Sequence, residues 1–214
     1  MSKRLFILLV FMPLLCQSQL ASDAKLWSGI SVSKKVNDFK FSIAKEVRFD
    51  ENMSHLDKSF GEIGSQYKIN KTLYVELNYR FNRDNDYSTE SYQLIHRVDF
   101  GLSYKRKVDK FRLKWRSKIQ LKSASTDENN PLVIRNKMSI KYKINKKIAP
   151  YIAYEFYYQL NTENCINRNR ISLGSSFKVT DQTDLKMFYL FENKFNVKNI
   201  QHNHVYGISY SIDL

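Results

Sequence analysis

Seven arginines are the side chains in this sequence best equipped for chemistry: Arg48, Arg80, Arg97, Arg112, Arg116, Arg135 and Arg170. Sorted by two-residue parity, they fall on one face with Glu46, Glu62, Glu76, Asp99 and Glu155, and with Lys114 and Lys137. A guanidinium presents a planar fork of donors that matches a carboxylate, so the set can knit itself into Arg–carboxylate pairs. Rings of Arg and Lys also select anionic solutes, so the same set can line a path for small anions. The stretch from 112 to 143 favours the second chemistry. There Arg112, Lys114, Arg116, Lys118, Arg135, Lys137, Lys141 and Lys143 outnumber any acids.

Other residue types offer less. A lipid-facing Ser–His pair would make a phospholipase-type hydrolase, and His96 falls on the apolar face. Its i+2 neighbour is Val98, so the nucleophile is missing locally, and an interfacial histidine beside Arg97 is the simpler reading. Glu46 and Glu155 can be written as an acid/base pair, but spacing along separate strands does not test it. His202 and His204 lie two apart, with His55 in another polar stretch; solvated loops account for them without a metal. No phosphate-cradling glycine loop or metal-binding cysteine cluster is present, so no cofactor, metal or catalytic residue is expected. The cations are dispersed by parity rather than gathered with stacking aromatics, which argues against nucleic acid despite a net charge of +14.

The elements that must position these residues are strands. Strict alternation recurs near 25–35, 38–49, 59–69, 72–84, 91–105, 110–123, 132–144, 149–160, 168–178, 183–194 and 203–214. Short connections (VND, INKT, VDK, INKK, TDQT) alternate with longer polar ones (DENMSHLDKS, NRDNDYSTES, ASTDENNP, NTENCINRN, VKNIQHN), giving a repeated hairpin unit. With only 6 Gly and 3 Pro, the turns must rely on Asn, Asp and Lys.

The face opposite the charges is apolar and aromatic. It carries Phe39, Phe41 and Ile43, then Leu77, Tyr79 and Phe81, Val98, Phe100 and Leu102, Ile152 and Tyr154, and finally Tyr206 and Ile208. In KFRLKWRSKIQLK (110–122), Phe111, Leu113, Trp115, Ile119 and Leu121 oppose Arg112, Lys114, Arg116, Lys118 and Gln120. Turning those cations to lipid would cost about 2–4 kcal/mol each near the midplane, so the apolar face must look outward.

Residues 1–19 read as a secretory signal: Lys3 and Arg4, an apolar run from Leu5 to Leu15, and the polar Gln17-Ser18-Gln19. Cleavage after Ala21 is an alternative. Leu15 before Cys16 is unlike a lipoprotein signal, and Cys165 alone excludes a disulfide framework. Residues 20–214 then form one domain.

Trp27, Glu46-Val47-Arg48, Tyr79-Arg80, His96-Arg97, the Arg112/Arg116 strand, Arg135-Asn136-Lys137, Glu155 and Arg170 form a pattern that resembles an uncharacterised outer-membrane barrel family, domain of unknown function 2490. The resemblance covers about residues 26–214. It implies a barrel fold and an outer-membrane location, and brings no activity or catalytic residues.

The expectation is an all-β, antiparallel up-and-down transmembrane β-barrel of about 10–12 strands, with short periplasmic turns and longer outside loops. The eleven segments read above sit uneasily with the even counts usual in bacterial barrels, which favours twelve. Function is expected to be non-enzymatic: a narrow anion-favouring pore, or a structural barrel with a charge-networked lumen, with a phospholipase-type hydrolase as the alternative. The partners expected are outer-membrane lipids and small anionic solutes; protein partners are not specified by the sequence.

Overall fold

Alternating strands of this length close on themselves when every edge must be satisfied without water, and that is the arrangement found. The computed structural model describes residues 22–87, 91–124, 131–161, 164–197 and 200–214. The expected signal segment lies outside them. The strands are β1 (Ser22–Val36), β2 (Phe39–Asp50), β3 (His55–Lys68), β4 (Leu73–Asp86), β5 (Ser91–Val108), β6 (Phe111–Ala124), β7 (Leu132–Tyr142), β8 (Ile148–Gln159), β9 (Cys165–Lys178), β10 (Thr183–Lys194) and β11 (Gln201–Asp213). Each pairs with its chain neighbours, and β1 pairs with β11 to close the barrel.

The described strands number eleven, and no twelfth is needed. An up-and-down meander with an odd count has its first and last strands pointing the same way, so closure must be parallel. The β1–β11 pair is parallel from Ser22↔His202 to Ser33↔Asp213, while the other ten pairings are antiparallel. Parallel pairing is slightly weaker per residue, and this seam is reinforced at one end and from behind its middle. At its lower end, the Ser33 hydroxyl donates to Asp213, and the same carboxylate accepts a 2.7 Å bond from Lys40. Behind its middle, Trp27, Leu190, Val205 and Phe188 form a small apolar core inside the lumen. Phe188 lies across Gly207, where an added Cβ would fall 2.0 Å from the ring. Only glycine admits that contact.

The turns follow the composition. Asn37 (φ 54°) and Asp109 (φ 48°) supply left-handed backbone in the two-residue turns, a conformation that Asn and Asp tolerate best after glycine. The INKT and INKK turns share one device. Asn70 Oδ1 accepts from the amides of Thr72 and Leu73, and Asn145 Oδ1 from those of Lys147 and Ile148. In the turn after β9, Lys178 donates to Asp181 at 2.6 Å and holds that carboxyl below its ordinary pKa.

The polar stretches are shorter as loops than the sequence suggests. His55–Lys58 and Cys165–Asn167 belong to strands, so β3 and β9 run further toward the loop end than the apolar alternation does. Those rungs stand where no acyl chain selects apolar side chains, and the sequence signal for them fades.

Outside, the barrel is coated with Phe41, Ile43, Ile63, Leu77, Phe100, Leu113, Ile119, Met138, Ile152 and Leu173, all exposed. Aromatic girdles bracket this band. At the turn end, Phe39 packs on Tyr67 (ring centroids 4.8 Å apart) and Phe111 on Tyr142 (5.0 Å). Toward the loop end, two matching trios recur: Tyr79, Phe81 and His96, and Tyr189, Phe191 and His204. A hydrocarbon-facing band between two aromatic belts, around a polar interior, is the signature of an outer-membrane barrel.

Candidate functional site: the charged lumen

Because each inward residue is fixed by strand parity, neighbouring strands bring their charges together at shared heights, and the result is a belt around the lumen. Every strand contributes. On one side, the Arg48 guanidinium stacks on Trp27 at 3.7 Å and on Phe60 at 5.2 Å, and Arg80 covers the same Phe60 at 3.6 Å. Arg48 also donates to Glu46 at 2.6 Å. Arg80 and Arg97 are directly opposed on β4 and β5, and Glu62 lies between them, 2.6 Å and 3.5 Å away. Arg97 continues to Asp99 at 2.9 Å, which accepts from Gln120 at 2.7 Å.

On the other side Glu155 is the hub. It is 3% exposed and meets Arg135 at 2.9 Å, with Arg116 and Arg170 each at 3.6 Å. Arg170 donates to Glu192 at 2.6 Å and to the Tyr157 hydroxyl; Asn203 donates to Glu192 at 2.9 Å. Arg170 also lies 5.2 Å from the Trp27 ring, which brings the belt back to its start. Stacking on arginine strengthens with desolvation, from about 0.5–1 kcal/mol to 2 or more, and leaves the edge of the guanidinium free for carboxylates.

The belt separates two kinds of space. Toward the loops lies a vestibule of about 720 Å³ whose floor includes Arg48, Arg80, Arg97, Arg135 and Arg170. Its walls mix signs: Lys25 reaches Asp50 at 3.4 Å, Lys58 reaches Asp84 at 3.0 Å, and Arg168 reaches Glu192 at 3.7 Å. Buried Asp50 also accepts from Tyr87 in the loop beyond β4, and burial together with that bond pushes the Tyr87 hydroxyl pKa upward.

Toward the turns lies a chamber of about 310 Å³ lined by Lys114, Arg116, Lys137, Ser139, Lys141, Tyr151, Ala153 and Lys186. Five of these eight are cations and none is an acid. A second recess of about 320 Å³ shares Lys114 and Arg116 with it and contains Glu76. Glu76 is fully engaged, accepting from Ser103 (2.6 Å) and Gln66 (2.8 Å) and lying 3.4 Å from Lys118 and 3.9 Å from Lys114.

Strand register makes the cation excess sharper. Lys105↔Lys114, Lys107↔Arg112, Arg116↔Lys137, Arg112↔Lys141 and Lys118↔Arg135 are directly opposed pairs on β5–β6–β7. Like charges in that relation are destabilising.

Of the thirteen charges singled out from the sequence, Glu46, Arg48, Arg80, Arg97, Asp99, Glu155, Arg135 and Arg170 meet in the belt. Glu76, Lys114, Arg116 and Lys137 line the turn-end spaces. Arg112 is exposed at the turn-end rim, beyond the chamber, because it is the second residue of β6. Sequence parity missed Glu192 and Lys186. Their strand, TDLKMFYLFENK, carries Phe188 and Leu190 on the inner face as well as Met187 and Phe191 on the outer one, so alternation gives no clear sign. Phe60 and Tyr157 were hidden for a related reason: aromatics inside this barrel serve as plates for arginine.

His96, His202 and His204 are placed on the outer surface, while His55 shares the face of Asp50 at the loop-end rim. His96 Nδ1 lies 2.6 Å from the Tyr79 hydroxyl and His204 Nδ1 lies 2.7 Å from that of Tyr189. His202 is edge-on to Phe191, and His55 lies 3.3 Å from Asp50. Register sets Ser123 opposite His96 on the lipid-facing surface, a neighbour that i+2 spacing along one strand does not reveal. Among the described residues no group of His, Cys, Asp and Glu suits a metal ion.

Comparison with known proteins adds a family and little else. No curated protein matches the chain in sequence. Similar solved structures include outer-membrane expressed OmpT of Vibrio cholerae, at 12% identity over 73% of this chain and 55% of that one, with a TM-score of 0.40. This chain thus matches about half the length of OmpT. The beta domain of the Bordetella autotransporter BrkA matches at 8% identity over 80% and 82% of the two chains, with a TM-score of 0.47. The KdgM porin in complex with disordered oligogalacturonate matches at 16% identity over 76% and 81%, with a TM-score of 0.46. The model of a family described as protein of unknown function, DUF2490, matches residues 24–203, and this outer-membrane barrel belongs to that family.

Proposed function

We propose that the barrel is a narrow passage favouring small anions, with the Arg–carboxylate belt as its constriction. The observation that carries this reading is the persistence of cation excess along the axis. Five guanidinium groups floor the vestibule, and five further cations line the chamber beyond the belt. Rings of basic side chains at close quarters raise the local concentration of anions and repel cations. Eleven strands enclose a lumen between the filled interior of eight-stranded barrels and the open channel of 16–18-stranded porins, which suits a slow, selective passage.

Planar-bilayer recording under a salt gradient tests the proposal. The expected result is a reversal potential on the anion side that moves toward zero in Arg116→Ala. Cation selectivity, or silence from protein shown to be folded and inserted, sinks it. A lipid-facing hydrolase is the rival reading, supported by the Ser123–His96 juxtaposition. Release of fatty acid from phospholipid vesicles, abolished in Ser123→Ala and in His96→Ala, would establish that rival.

A further inference from the structure

The turn-end chamber holds charge that the protein itself does not answer. Lys137, Lys141 and Lys186 line it and make no ion pair among the described residues. Glu155 stands opposite Lys137 in register, but it is bonded to Arg135 at 2.9 Å and has Arg116 and Arg170 each 3.6 Å away. Asp184, two residues before Lys186, is not part of the lining. The lysines come from β7 and β10, three strands apart around the barrel, with Arg116 and Lys114 on β6 beside them.

Nearby groups shape the chamber rather than neutralise it. Lys186 Nζ lies 4.7 Å over the Tyr151 ring, and Lys141 Nζ donates to Ser176 at 2.9 Å. The hydroxyls of Ser139 and Tyr151 add donors to the lining. Arg116 and Lys137, directly opposed in register, face into this space, so an anion between them converts repulsion into attraction. A single-charged ion answers one cation of the five. An ion with several charges answers the set.

We propose that this chamber is a binding site for a compact soluble anion bearing two or more phosphoryl charges. The inference rests on the anion-favouring reading of the lumen and names the class of solute it retains. Phosphate is favoured over carboxylate by charge density: four of the five cations are lysines, which act as point charges, and each phosphoryl group carries about −1.5 to −2 where a carboxylate carries one charge. The volume of about 310 Å³ is at the lower bound of small-molecule pockets, which admits a diphosphate and excludes a long polymer.

Titration calorimetry of the folded, detergent-solubilised barrel with inorganic pyrophosphate tests this, with succinate and chloride as comparison ions. Pyrophosphate should bind one site per barrel, at least tenfold more tightly than succinate. The Lys137→Gln/Lys186→Gln double variant should lose at least tenfold in affinity, and Lys25→Gln in the vestibule should lose none. Folding of each variant is checked by heat-modifiable gel mobility. Equal binding of succinate overturns the phosphoryl class, and unchanged binding in the double variant overturns the location. Anion conductance without pyrophosphate binding sinks this inference alone. Pyrophosphate binding in a barrel that conducts nothing sinks the passage and leaves the site.

Discussion

The two halves of the lumen handle the same problem in opposite ways. Above and within the belt, directly opposed Arg80 and Arg97 are joined by Glu62, and Lys58 and Lys25 each find an aspartate. Below it, directly opposed Arg116 and Lys137 have only Glu155 in reach, which stands opposite Lys137 in register and 3.6 Å from Arg116 but is bonded to Arg135 at 2.9 Å. Lys141 and Lys186 make no ion pair among the described residues. The barrel thus concentrates its electrostatic stability in the belt and leaves the turn-end half cationic. A protein selected only for rigidity would have placed an acid in the chamber, as Glu76 is placed in the recess beside it. The difference locates the part of the interior that stability alone does not explain.

Breaking the belt should have the largest effect. Glu155→Gln leaves Arg116, Arg135 and Arg170 crowded around a neutral amide, and loss of one partner from such a buried set costs about 3–5 kcal/mol. Urea unfolding in micelles should show it as a large fall in midpoint. Next comes Gly207→Ala. The new methyl meets Phe188 and forces the ring off the seam, at about 1–3 kcal/mol by the same measurement.

Lys141→Glu sharpens the comparison, because it sets a carboxylate opposite Arg112 in register and among the chamber cations. It should stabilise the barrel by up to about 1 kcal/mol while moving the reversal potential toward cation selectivity. A variant that is both less stable and equally anion-selective would erase the distinction between the halves. The smallest effect is expected for Lys58→Gln, whose partly buried pair with Asp84 stands in the wet vestibule, is worth about 1 kcal/mol or less, and should shift selectivity less than Lys141→Glu does.

How much of this was legible in the sequence follows from where a single physical rule operates. Between the girdles, lipid outside and charge inside impose strict alternation, so Phe39, Phe41 and Ile43 were assigned to the outer face and Arg48, Arg80 and Arg97 to the inner one from parity. Outside that band the rule lapses. The rungs His55–Lys58 read as loop because water, not lipid, faces them. Where the inner face is itself apolar, as at Phe188 and Leu190, parity carries no sign, and Lys186 and Glu192 go unnoticed. Ring closure is a property of the whole count rather than of any segment. The unevenness of eleven was visible, but the usual even-numbered pattern argued for a missing strand where a parallel seam suffices.

That seam also settles how the two ends of the barrel face the world. With β1 and β11 running side by side in one direction, Ser22 opens the wall at the loop rim and Leu214 ends it at the turn rim. A meander with an even count would deliver both to a single compartment. Here they are assigned to opposite sides of the bilayer, so an impermeant thiol reagent should reach Ser22→Cys from one side and Leu214→Cys only from the other, in a Cys165→Ser background. The wall therefore shows its first and last described rungs to different compartments, an asymmetry that even-numbered barrels lack.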